Sequence, residues 1–206
     1  MTDTAQSKNH KTHILISDVS SFLGSQIAQV FLDAHCAVYG IGSSHVPEKL
    51  LSSHNFTLLE IDLSQPLPAY LPTFDLIFDL SLLKNQDNLS HMPHMSPQLT
   101  NAIALSQRHN SRLYIFAPIT TPEEFYEYLT SGKDDLKDRI SLFLTGDVYG
   151  PQMPLDNSNK LTVLIKQAIQ TDKIILEKEG LEQIYPAYIT DATQTVKKVI
   201  MTNHHR

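Results

Sequence analysis

The stretch His13-Ile-Leu-Ile-Ser-Asp-Val-Ser-Ser-Phe-Leu-Gly-Ser-Gln-Ile27 changes its hydrophobic period partway along. His13 to Ser17 is a short apolar run, as expected of a strand buried on both faces. From Ser20 to Ala34 the apolar residues fall at Phe22, Leu23, Ile27, Val30 and Phe31, a helical spacing. A buried strand that turns directly into a helix begins a strand–helix–strand unit. Such units build parallel sheets covered by helices.

The rest of the chain continues the alternation. Strands are expected at Ala37–Ile41, Phe56–Ile61, Phe74–Leu80, Leu113–Ala117 and Leu142–Val148. Helices are expected at Val46–Ser53 and Pro97–Arg108, and across Thr120–Arg139 with a loop around Gly132–Asp135. The polar segment Leu83–Pro97 reads as loop. The fold class is α/β, a Rossmann-like doubly wound parallel sheet. Right-handed crossovers give the strand order third, second, first, fourth, fifth, sixth. A reduced C-terminal lobe follows, with a helix at Leu161–Gln170 and short strands near Ile174–Leu176 and Tyr185–Tyr188. A closing helix spans Thr190–Thr202. Residues 1–11 read as a flexible tail and 12–206 as a single domain.

The 206 residues carry 16 Lys and Arg against 22 Asp and Glu, a formal charge of −6. That balance, with no long basic run, disfavours nucleic acid as a partner. No apolar run approaches the roughly 20 residues of a bilayer span, and Met1–Lys11 has no apolar core of a secretory signal. The single cysteine, Cys36, excludes an internal disulfide and fits a reducing compartment. A cytoplasmic location is expected.

Five stretches, in order, resemble the NAD-dependent epimerase/dehydratase family, the extended short-chain dehydrogenases. His13–Ile27 is similar to its glycine-rich strand–turn–helix opening. Leu59-Glu-Ile-Asp62-Leu63 resembles its Gly-Asp-Leu after the third strand. Phe74-Asp-Leu-Ile-Phe-Asp79-Leu80-Ser81 resembles its Phe-Asp-Val-Val-x-His-Leu-Ala. Asp147-Val-Tyr149-Gly150-Pro151 resembles its Asn-Val-Tyr-Gly-Pro, and Gly180 to Asp191 resembles a later segment. The resemblance covers about Thr12 to Met201. It implies a dinucleotide fold in which Ser21, Phe22, Leu23, Gly24, Asp62, Leu63 and Ser81 stand at cofactor-binding positions. Asp62-Leu63 would meet adenine in the family or, read as residues alone, cap a strand end.

The departures from the pattern concern chemistry. Asp18 and Ser21 stand where the family has its first two glycines, which make the tight turn and admit the pyrophosphate; only the third, a helix-packing glycine, survives as Gly24. An Asp18 carboxylate about 4 Å from a phosphate would be repelled by about 4 kcal/mol at an effective dielectric of 20. The attraction of a helix N-terminus is at most about 2 kcal/mol. The ribose-binding acid at the end of the second strand is replaced by Gly42. None of the eight tyrosines has a Lys four residues on, so the family's proton-transfer pair is missing. Its two arginine positions are occupied by Leu144 and Ile184. NAD(P) binding is therefore expected to be weak or absent.

Two functions follow. One is a catalytically degenerate relative acting as a binding or scaffolding module. It would pair with itself or with another protein, the resemblance implying the family's two-helix face, Pro97–Arg108 and Thr121–Asp138 here, as the dimer surface, and a nucleotide or nucleotide sugar could be its ligand. The other is an active NAD(P)-dependent nucleotide-sugar enzyme whose site is rebuilt from Thr120, Tyr126 and Lys133. The remaining signals have plainer readings. Asp79 at a strand end orders a loop, and Tyr126 and Tyr128 anchor a helix. His91, His94 and Met95 sit in a loop without metal-ligand spacing, His204-His205 is a terminus, and Cys36 is a small buried hydrophobe.

Overall fold

The computed structural model describes residues 11–42, 45–88, 95–131, 134–155, 160–176, 180–181 and 183–204. Its main sheet has six strands: β1 (His13–Ile16), β2 (Ala37–Ile41), β3 (Phe56–Leu59), β4 (Leu76–Asp79), β5 (Arg112–Pro118) and β6 (Ile140–Thr145). All neighbours are parallel and the order is β3-β2-β1-β4-β5-β6, as the sequence predicts.

Period-2 alternation sends successive residues of the central strands to opposite faces. Ile14 and Ile16 of β1, Phe78 of β4 and Phe116 of β5 enter one core. It is closed by α1 (Phe22–Asp33) and the last helix, α7 (Ile189–His204), through Ile27, Phe31, Val196 and Ile200. Leu15, Ile77 and Ile115 enter the other core, closed by α3 (Pro97–His109) and α4 (Glu124–Thr130) through Leu99, Ile103, Phe125 and Leu129. Two packed faces explain why these strands read as unbroken apolar runs rather than alternating ones.

Helix limits have local causes. Ser21 and Ser96 cap α1 and α3, their hydroxyls accepting from the Gly24 and Leu99 amides, and Pro97 starts α3. Asn110 ends α3 in the left-handed conformation (φ 59°), and His35 (φ 62°) follows α1 in the same way. A short helix α2 (Glu48–Leu51) lies inside the expected 46–53 segment, and α5 (Asp134–Lys137) follows α4.

Three expectations are corrected. The segment 83–97 is not all loop, because a 3-10 helix runs through Ser81–Asn88 and buries Leu82. The sixth strand does not continue to Val148. It breaks at Gly146, where a Cβ would stand 2.0 Å from the Tyr185 carbonyl oxygen. There the chain leaves the main sheet as β7 (Asp147–Tyr149), which pairs in parallel with β8 (Pro186–Tyr188). Ile174–Leu176 is therefore not the partner of β8, nor a strand. The Ile175 amide donates instead to Gln167 Oε1 (3.0 Å), at the end of α6 (Lys160–Thr171), and Thr171 Oγ1 donates to the Lys173 carbonyl.

Candidate functional site

In an open parallel sheet, loops at the carboxyl ends of the strands form the crevice that takes ligands. Here such a crevice of about 450 Å³ opens between the β1–α1 turn, the 3-10 helix after β4, and the ends of β5 and β6. Gln183 and Tyr185, just before β8, close its far side.

The β1–α1 turn is built without the glycines a phosphate loop would use. Asp18 takes the left-handed conformation (φ 54°) that a glycine would adopt there at lower cost. The turn is held on both sides, the Ser17 amide donating to the Phe78 carbonyl and the Val19 amide to that of Ile41. Ser21 Oγ accepts from the Gly24 amide (3.1 Å) and donates to the Asp18 carbonyl (2.8 Å). Gly24 is required by that close approach, since a Cβ would lie 2.4 Å from the Asp18 carbonyl oxygen. The Asp18 side chain, largely buried, pairs with the exposed ammonium of Lys84 at 2.9 Å. Both residues line the crevice.

Beneath the turn lies Asp79, fully buried at the end of β4. Its Oδ1 accepts from the Ser81 amide (2.7 Å) and from Ser17 Oγ (3.2 Å), while Ser17 Oγ itself accepts from the Leu80 amide. Its Oδ2 has no partner. Burial pushes this carboxyl above the usual carboxylate range, and the donors on Oδ1 only partly oppose that. The arrangement ties β1 to β4, so Asp79 orders the loop as its plainer reading has it.

On the opposite wall the polar groups are largely bonded to one another. Thr145 Oγ1 donates to the Ala117 carbonyl (2.9 Å), Asp147 Oδ2 accepts from the Tyr185 amide (3.0 Å), and the Tyr185 hydroxyl donates to Gln183 (2.6 Å). Thr120 also lines the crevice.

The sequence-derived positions divide accordingly. Ser21, Phe22 and Leu23 line the crevice, and Gly24 stands behind them as a packing residue. Asp62, Leu63 and Ser81 do not line it. Asp62 accepts from the amide and hydroxyl of Ser64 (2.8 and 2.7 Å), which hold its carboxyl below the usual range. Leu63 is buried in the second core, and Ser81 Oγ is buried without a partner. Of the candidate substitutes for catalysis, Thr120 reaches the crevice. Tyr126 does not, and its hydroxyl donates toward the carbonyls of Lys137 (3.0 Å) and Ile140 (3.4 Å). Lys133 lies outside the described residues, as do His91, His94 and His205. Among the described residues no cluster of His, Cys, Asp and Glu could hold a metal ion. Lys84 and Lys160 are crevice cations that sequence reasoning did not single out; the signal of Lys84 was a lone cation five residues beyond β4.

Solved structures with the same fold include several nucleotide-sugar enzymes. The ADP-L-glycero-D-manno-heptose-6-epimerase of Helicobacter pylori aligns at 17% identity and TM-score 0.63, over 89% of this chain and 71% of its own. The dTDP-glucose 4,6-dehydratase of Bacillus anthracis, solved with NAD, aligns at 11% identity and TM-score 0.64, over 91% and 71%. The UDP-glucose 4-epimerase of Thermotoga maritima, solved with UDP-glucose, aligns at 12% identity and TM-score 0.62, over 89% and 71%. No family model matches the sequence, and no curated protein matches it. At these identities the likeness is one of fold: the chain has the Rossmann-like architecture of NAD-dependent epimerases and dehydratases. No helix among the described residues is long and apolar enough to cross a membrane.

Proposed function

We propose that this protein is a catalytically degenerate member of the epimerase/dehydratase fold group, acting as a binding or scaffolding module rather than as a dinucleotide-dependent enzyme. The observation that carries this reading is the Asp18–Lys84 pair at the β1–α1 turn. A dinucleotide would place its pyrophosphate against this turn. Here the turn presents a carboxylate of the same sign as the incoming group, and the Ser21 cap of the helix already takes up the Gly24 amide. These residues do not fit the pyrophosphate of NAD, so no reaction step is derived through it.

The chemistry of the crevice supports the same reading. Proton transfer needs a positioned acid or base within reach of substrate. Tyr126 is turned to backbone carbonyls, and its fourth neighbour, Thr130, donates back to the Tyr126 carbonyl. The crevice volume suits a small ligand, and a nucleotide or nucleotide sugar bound there without turnover is the ligand we assign.

Calorimetric titration with NAD, NADP and a panel of nucleotide sugars tests this. No NAD binding tighter than a Kd of about 1 mM, equivalent to about −4 kcal/mol, is expected. The double variant Asp18→Gly with Ser21→Gly should bind NAD more tightly than the parent. Micromolar NAD affinity in the unaltered protein overturns the reading. So does turnover of a nucleotide sugar that Thr120→Ala abolishes.

A further inference from the structure

β6 is an outer strand of the main sheet, and among the described residues its free side meets no other strand. The Leu113 amide donates to the Arg139 carbonyl and the Ile119 amide to that of Thr145. Backbone groups alternate in direction along a strand, so residues 139, 141, 143 and 145 bond to β5 while Ile140, Leu142 and Leu144 point outward. The Tyr126 hydroxyl reaches the Ile140 carbonyl (3.4 Å), and at Gly146 the chain turns away into β7. Between these limits the amides and carbonyls of Leu142 and Leu144 have no hydrogen-bond partner among the described residues. Outer strands are ordinarily guarded by charge, proline or a bulge. Ile140-Ser-Leu-Phe-Leu-Thr145 has none of these: its register with β5 is unbroken, and Leu144 is 48% exposed. At the opposite edge the Phe56 amide of β3 is already taken by the Ser53 carbonyl, leaving Leu58 as the residue with both outward groups free among the described residues.

The sequence of this edge indicates its partner, because the strand is complementary to itself. A two-fold axis brings a surface onto the same surface of the partner. Set antiparallel to its own copy about an axis at Phe143, Leu142 faces Leu144 of the second copy, and each such pair exchanges two N–H···O bonds. The same pairing lays the exposed Leu144 side chain against Leu142, which packs on the second core. Phe143 faces Phe143 at the closer position without hydrogen bonds, extending the row Phe78, Phe116, Phe143 whose ring centres lie 6.1 and 5.1 Å apart. Ser141 faces Thr145, whose own proton is given to the Ala117 carbonyl, so its oxygen is open to the serine hydroxyl. Just outside the strand, Arg139 falls opposite Asp147 of the second copy. The Arg139 guanidinium has no ion pair among the described residues, and Asp147 spends one oxygen on the Tyr185 amide. A slide of two residues either way loses these matches. It would bring into the bonded pairs Ile140, whose carbonyl Tyr126 takes, or Gly146, where the strand has ended.

We infer that β6 pairs antiparallel with β6 of a second copy of this chain, about a two-fold axis at Phe143, joining the two sheets into one. Sedimentation velocity at about 10 μM protein, where a Kd of about 1 μM leaves most chains paired, should show a species of twice the 23.2 kDa chain mass. Leu144→Pro removes an amide that no bond within the described chain uses, at a place where an outer strand tolerates proline. It should weaken pairing by about 30-fold or more, since both copies lose a bond. The thermal midpoint of its monomer should stay within a few degrees of the parent. Leu144→Lys, which keeps the amide but adds a charge, provides a second reading of the same edge. Arg139→Asp should weaken pairing, and adding Asp147→Arg should restore it in part, a reversal specific to this register. Ala104→Arg, exposed on α3 in the two-helix face, should leave pairing unchanged. In amide hydrogen exchange, Leu142 and Leu144 should gain protection as protein concentration rises. A monomeric parent overturns the inference, including one that captures another protein. So does a dimer that both Leu144 variants leave intact, or one that Ala104→Arg breaks. Sedimentation does not depend on nucleotide affinity, so its outcome and that of the calorimetric titration are read separately.

Discussion

Asp79 has one oxygen satisfied by donors and one facing none. Burial raises the pKa of this carboxyl, and the shift links folding to pH. In the unfolded chain it ionises near its ordinary 3.8. Its contribution to stability is complete below that value and is lost as pH rises through the higher folded value. His109 has the opposite sign. Burial lowers its pKa, and its Nδ1 accepts from the Phe74 amide, so its contribution is present above 6.5 and lost as pH falls. Urea unfolding of the parent and Asp79→Asn, run from pH 4 to pH 8, should separate the two. The stability difference should move in favour of Asn with rising pH, by up to about 1.4 kcal/mol per unit, and a pH-independent difference would refute the raised pKa. Gly24 gives a second prediction. Alanine would gain about 1 kcal/mol of helix propensity but place its methyl 2.4 Å from the Asp18 carbonyl oxygen. The clash prevails, so Gly24→Ala should lower stability by about 1–3 kcal/mol, read as a lower urea midpoint.

Elements were legible where their signals were local and repeated. Strand order followed from apolar runs separated by amphipathic helices, because each run had to be covered on both faces. Both serine caps stood immediately before an apolar-periodic segment. Ser96→Ala should lower stability by about 1 kcal/mol, and thermal unfolding without a shift would exclude the cap as a contributor. The errors came from tertiary competition. Ile-Ile-Leu at 174–176 has a strand's composition, but a glutamine one turn from the end of α6 reaches its backbone first. Gly146 looked like one residue of a continuous strand, yet the Tyr185 carbonyl fills the space beside it and turns the chain into a second sheet. The site was legible in part. Ser21, Phe22 and Leu23, which follow a strand in a recognisable turn, line the crevice. Asp62 sat at the matching sequence position but spends its oxygens on Ser64, a choice that spacing alone does not reveal. Lys84 was missed because its partner lies 66 residues away in the chain.

At the scale of the whole molecule, the last helix is part of the first core rather than an appendage. Ile200 is fully buried with Ile27 and Phe31 of α1, so the two ends of the described chain share one packing unit. Ile200→Ala should therefore cost about 2–5 kcal/mol and lower the unfolding of the entire sheet in a single transition. A circular dichroism melt in which α7 alone is lost, with the sheet intact, would contradict it. Val163→Ala, on the exposed side of α6, should change monomer stability by less than about 0.5 kcal/mol.

The Asp18–Lys84 pair also sets a kinetic and competitive condition on anything anionic that enters the crevice. Lys84 already has an anion, and that anion is tethered. A tethered group acts at an effective concentration that reaches the millimolar range even for a short flexible link. A free phosphate or phosphoester would have to outcompete this built-in occupant before it gained the ammonium. Added salt loosens both partners together, since one is exposed to solvent. The crevice thus holds its own counter-ion, and the charge of Lys84 is answered from within the chain.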